Sequence, residues 1–153
     1  MLRLGIIAFL LVTVFTVLLG ASHSSAHATV EHSCGLTDRQ FLQIAAMQVE
    51  SVGMYGNDYL HGSADAKEVI AAAREAARAV RATVPFDTSL QTAQSYLPAM
   101  FLNYAAAVHM REQGKDAAPD MYRAYLIGAR VKEVLAEAKP VLTAAGCDVS
   151  DLL

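Results

Sequence analysis

The 153-residue chain is predicted to be all-α. The expected form is an antiparallel up-down-up-down four-helix bundle, closed by one disulfide and preceded by a cleaved signal peptide. Three observations predict it. An apolar run from Leu4 to about Leu19 follows a single Arg3 and ends in Ala26-His27-Ala28, the layout of a secretory leader. The rest divides into four amphipathic segments joined by short Gly- and Pro-containing links. The two cysteines, Cys34 and Cys147, flank the first and last of these segments. An even number of rods returns the chain to its starting end and makes the two cysteines neighbours. Three or five helices of that length would leave them about 30 Å apart.

The leader is read as residues 1–28, and residues 29–153 as one helical domain. Its apolar core is shorter than the roughly 20 residues of a spanning helix. The small residues Ala26 and Ala28 suit a peptidase, so cleavage is expected rather than retention as an anchor. No twin-arginine pair is present, which favours the Sec route. No Cys follows the apolar run to carry a lipid. The expected product is secreted or held in the cell envelope, with no membrane span after cleavage. Ala- and Arg-rich usage points to GC-rich bacterial DNA.

Removing the leader takes away Arg3 and no acid, leaving 11 basic against 15 acidic side chains, a net charge of −4. That balance gives no electrostatic footprint for nucleic acid. Abundant Ala and unbranched side chains with little Pro favour helix, because such residues lose little entropy in it. Outside the cytosol a lone pair of cysteines oxidises. The competing reading, a redox or metal pair, lacks a C-x-x-C spacing, since 113 positions separate the two.

Each helix has start and stop signals. The first opens at Thr37, paired with Gln40 as a capping box. Phe41, Ile44, Val52, Tyr55 and Tyr59 follow at helical steps, and Gly62 is the stop. Gly53 and Gly56 weaken it, and they either allow close approach of a neighbour or mark a break at Gly56-Asn57-Asp58. The second opens at Ser63 or Asp65. It carries Val69, Ile70, Ala73, Ala77, Val80 and Val84 on one face, opposite Lys67, Arg74, Arg78 and Arg81. Pro85 ends it. The third runs from Thr88, boxed with Gln91, to about Gln113, and Pro98 is expected to kink or divide it. The fourth starts between Asp116 and Pro119, bends at Pro140 and stops at Gly146.

Function is less legible than fold. The pole away from the cysteines collects Met54, Tyr55, Tyr59, His61, His109, Met110, Met121, Tyr122 and Tyr125. Tyr, His and Met are axial ligands of haem iron, and His and Met suit copper. In outline the layout resembles exported helical haem carriers and bundle cytochromes. That resemblance implies a noncovalent site here, because C-x-x-C-H is absent. Tyr and Met also fill core gaps, which is the commoner use.

The third helix is nearly apolar all round from Tyr96 to Met110, with Asn103 and His109 its only polar side chains. Leu102, Ala106 and Met110 lie on its back face. Either neighbours enclose this helix, or it offers a strip to a second copy, an envelope partner or a greasy ligand. A kink at Pro98 would open space for such a ligand. The basic line of the second helix is the composition of a solvated face. No H-E-x-x-H, G-x-S-x-G or phosphate-binding Gly loop is present. Arg130 is the best candidate for gripping a carboxylate substrate, and Glu133 stands ready to pair with it.

The expectation is therefore an exported, non-catalytic binding or interaction protein with no predicted cofactor. A haem or copper binder using the Tyr/His/Met pole is the alternative, and a small helical enzyme of unrecognised type is the third reading.

Overall fold

The computed structural model describes residues 33–153, and the leader read over residues 1–28 lies outside them. Four helices follow in order: α1 (Leu36–Leu60), α2 (Ala66–Ala82), α3 (Thr88–Glu112) and α4 (Ala118–Ala144). A short 3₁₀ turn, Ser150–Leu152, ends the chain. The arrangement is up-down, and helices adjacent in sequence pack on each other.

Two of the four helices begin otherwise than the sequence suggests. The boxes expected at Thr37–Gln40 and Thr88–Gln91 do not form. The chain enters α1 one residue earlier, from Gly35, whose N–H donates to the Asp38 carboxylate at 3.1 Å. Asp87 caps α3 by accepting from the N–H groups of Ser89 and Leu90. Gln91 instead turns back and donates to the carbonyls of Pro85 and Phe86. Asp87 satisfies first-turn donors of α3, Asp38 binds the N–H of the residue that precedes α1, and in both places the carboxylate favours the positive helix end, which a Thr hydroxyl does less well. At α2 the reading holds: Asp65 and Glu68 form a reciprocal capping box.

The stops hold as well. Gly62, Gly114 and Gly146 each take positive φ just past α1, α3 and α4, where a Cβ would be strained. The break proposed at Gly56-Asn57-Asp58 does not occur, and Pro98 does not divide α3, which runs unbroken for 25 residues. One lost hydrogen bond is tolerated there because packing on two neighbours holds the helix.

α2 lays its small-residue face, with Val69, Ala73, Ala76, Ala77 and Val80 all buried, between α1 and α3. Small side chains at a helix contact allow close approach. Its cations Lys67, Arg74, Arg78 and Arg81 face solvent. α3 packs along both α2 and α4 and touches α1. That enclosure explains its nearly continuous apolar sequence.

The Cys34–Cys147 disulfide joins the start of α1 to the end of α4, with Cα atoms 5.2 Å apart. Both cysteines are buried in the main core with Phe41, Leu90 and Leu135. The Cys34 N–H donates to the Ala145 carbonyl at 2.7 Å, so the two chain segments also join through the backbone. In the chain-entropy model a loop this long contributes about 4–5 kcal/mol through the unfolded state.

At the same pole sits Asp38, the one buried charged side chain of the described core, 2% exposed. Its Oδ1 accepts from the N–H groups of Phe86 and Asp87, at 2.6 and 3.0 Å. One carboxylate therefore ties the α2–α3 turn to the first turn of α1. Asp38→Ala is expected to cost about 2–4 kcal/mol, since it strands buried donors. Asp38→Asn, which keeps an acceptor oxygen, is expected to cost less. Urea denaturation of the two variants checks the order.

Candidate ligand groove

Three of the four helix seams are continuous: α1 with α2, α2 with α3, and α3 with α4. α1 has no comparable seam with α4. On the cysteine side the gap between them is filled by the disulfide and by the tail that follows it. Val149 and Leu152 enter the core at 1% and 7% exposure, and the 3₁₀ turn packs on α1. On the far side the gap stays open.

The open half contains two cavities of about 440 and 380 Å³. Both touch Val49, Met100, Ala124 and Tyr125, so they form one groove. α1 supplies a wall with Val49, Val52 and Gly53. α3 supplies a floor with Leu97, Met100, Phe101 and Tyr104. α4 supplies the opposite wall from Met121 to Lys132. Lys132 is the only charged residue on these walls. Leu152 closes the end nearest the disulfide.

Small residues set the shape of the groove. At Gly53 a Cβ would meet nothing within 4 Å, so the groove is open above it. At Gly128 a Cβ would meet the Met100 sulfur at 3.1 Å, so this glycine makes room for a flexible thioether on the floor. At Gly56, one turn beyond Gly53, a Cβ would collide with the Tyr104 hydroxyl. Burial pushes the Tyr104 phenol pKa up, so it stays neutral at ordinary pH.

The sequence-selected residues fall into separate groups. Tyr125 and Met121 stand on the groove wall, with Tyr125 70% exposed. Tyr122 and Leu126 continue this exposed apolar patch along α4. Tyr55 and Tyr59 pack instead around Val69 and Val108, on the α2 side of the pole. The Tyr59 hydroxyl donates to Glu112 at 2.7 Å, and Arg111 lies over its ring at 5.5 Å. That bond to Glu112 holds the Tyr59 pKa above its usual value.

His61 is exposed, with Nδ1 on the Asn57 carbonyl at 2.8 Å. His109, also exposed, has Nε2 within 2.7 Å of the Gln113 amide. Among the described residues no three His, Cys, Asp or Glu side chains group as a metal site would need. Leu102 is 37% exposed, while Ala106 and Met110 are half-buried. The back face of α3 is thus partly covered rather than bare. Arg130 is paired with Glu133 at 2.6 Å on the surface.

Sequence reasoning missed Val49, Gly53, Met100, Tyr104 and Gly128 as groove residues. Two helical glycines without a stop function were the available signal, since each costs about 1 kcal/mol against Ala unless space is needed there.

Among the described residues no helix is long and apolar enough to cross a membrane. Comparison with family models, with curated proteins and with solved structures finds no match to this chain.

The glycines give a paired test. Gly53→Ala is expected to stabilise the protein by about 0.5–1 kcal/mol, because the helix gains propensity and nothing is struck. Gly56→Ala is expected to destabilise it by about 1–3 kcal/mol, because Tyr104 must move. Thermal melts of the two variants, read as opposite shifts of Tm, check the groove wall.

Proposed function

We propose that this is an exported, non-catalytic binding protein whose ligand lies in the open half of the α1–α4 gap. The observation that carries the reading is the groove itself. It combines three helices, a volume in the range of small-molecule sites, and walls that are apolar but for one cation. A bundle with no use for this space would close it, since apolar surface left in water forfeits roughly 25 cal/mol per Å². Apolar side chains exposed beside the mouth, Met121 and Tyr125, extend the same surface outward.

Export is supported by the leader-like segment ending in Ala26-His27-Ala28 and by the disulfide, a bond that persists in oxidising compartments. Expressed in a bacterium with its leader, the protein is expected outside the cytoplasm with an intact mass beginning at Thr29 and two hydrogens short of the dithiol. A cytoplasmic, reduced, full-length product would refute this part of the reading.

Binding is tested with N-phenyl-1-naphthylamine, a neutral probe that fluoresces in apolar surroundings. Saturable binding at one site per chain is expected. Gly53→Trp is expected to weaken it at least tenfold by filling the groove from a position where a Cβ meets no atom within 4 Å. Circular dichroism checks that the variant keeps its helices. Absence of saturable binding to the folded protein would refute the groove as a ligand site.

A further inference from the structure

Resting on that reading of the groove, we propose that its ligand is a free fatty acid, with its carboxylate at Lys132 and its tail running along α4 toward Met121. Three observations select this chemistry. First, the groove is linear. Its α4 wall runs eleven helical steps, from Met121 to Lys132, about 16 Å at the helical rise. An extended carbon chain, whose zigzag of ~1.5 Å bonds advances ~1.25 Å per bond, covers that length in about fourteen carbons. Second, charge is confined to one end. Lys132 is the only charged wall residue, no acid lines either cavity, and the Met121 end is closed to charge. An occupant matched to these walls has one anionic head and an otherwise apolar body.

Third, the head site is built by two elements. The Lys132 Nζ donates to a main-chain oxygen of Leu153 at 2.5 Å, beside the Leu152 side chain that closes the groove. The tail thus holds the ammonium at the groove end, and two of its three protons remain for a carboxylate. Met100, unbranched and lying over Gly128, can re-pack along a moving methylene chain. A partner helix fits less well. It would need a wide flat seam, and the tail already fills half the gap. A cationic or zwitterionic amphiphile would place its positive group against Lys132.

The test is displacement of N-phenyl-1-naphthylamine from the exported, oxidised protein, with competitors kept below their micellar concentrations. Fatty acids from eight to eighteen carbons are expected to gain roughly fourfold in affinity per added methylene, levelling off at about twelve to fourteen. Tetradecanoate is expected to outcompete tetradecanol by about fivefold or more, as an ion pair of this exposure allows. Lys132→Met is expected to erase that preference, and Lys132→Arg to restore it.

If the probe binds but acid and alcohol compete equally, or Lys132→Met leaves the preference intact, the fatty-acid assignment falls and the groove survives as a binding site. If affinity climbs without a plateau to eighteen carbons, the chain does not run along this wall, and the assignment also falls. Probe release on raising the protein concentration, with dimers in sedimentation, would give the groove to a second copy and overturn it. A protein that binds neither probe nor acid refutes the reading beneath.

Discussion

The Cys34–Cys147 bond holds together two helices that do not pack along each other. α3 lies against both its neighbours, and α2 spans the distance between α1 and α3. α1 and α4 are therefore left as the outer rods of a curved layer. Without a link, nothing in their own contacts would fix their separation. The disulfide and the Cys34–Ala145 backbone hydrogen bond set it at one pole. Val149 and Leu152 then wedge into the gap just beyond. At the other pole Tyr59 of α1 reaches Glu112 and Arg111 of α3, so α1 is tethered there to the central helix rather than to α4. The gap consequently widens from a covalent cap to an open mouth.

This arrangement explains why the apolar content of α3 and of α4 have different causes. α3 is apolar on nearly all sides because protein surrounds it, as the burial of Leu90, Leu97, Phe101 and Val108 shows. α4 buries only a narrow line, Ala124, Val131, Leu135 and Leu142. Yet it also exposes Met121, Tyr122, Tyr125 and Leu126 within its first three turns. A helix packed on a single neighbour needs only the narrow line, and the additional apolar residues lie at and beyond the groove mouth. Exposed Tyr and Met are suited to such a place. They give large contact area, and in Met's case adaptable shape.

Much of the fold was legible because it depends on local signals. The glycine stops, the start of α2 at Asp65 and the return of the cysteines to one pole follow from spacing alone. The missed caps have a common origin. A Thr with Gln three residues later matched a pattern, but Asp38 and Asp87 lay nearby and outcompeted it, since a carboxylate accepts several N–H bonds at once. Asp38 in particular serves two helices, and its contact with Phe86 and Asp87 spans 48 and 49 residues. No window of sequence contains that relation.

The groove was hidden for the same reason. Its walls come from three helices, and its closed end comes from a tail too short to read. The Tyr/His/Met pole was recognisable as a composition, but sequence could not tell that Tyr125 and Met121 face the α1–α4 gap while Tyr55 and Tyr59 face α2.

The position of the glycines argues that the opening is kept rather than merely tolerated. Gly62, Gly114 and Gly146 have backbone reasons to be glycine, namely positive φ after a helix. Gly56 has a packing reason, the Tyr104 hydroxyl. Gly53 has neither, since its φ is helical and the space above it is empty. A helical glycine with no contact to protect lowers stability relative to Ala. Its position on the wall, in the same cavity as the small residue Ala124 of α4, supplies the missing reason. Any side chain there would narrow the groove where Met100 lies on the floor. The helix gives up stability at a wall position where a side chain would narrow the gap. An idle crevice would not call for that sacrifice, and a site that receives a chain of methylenes would.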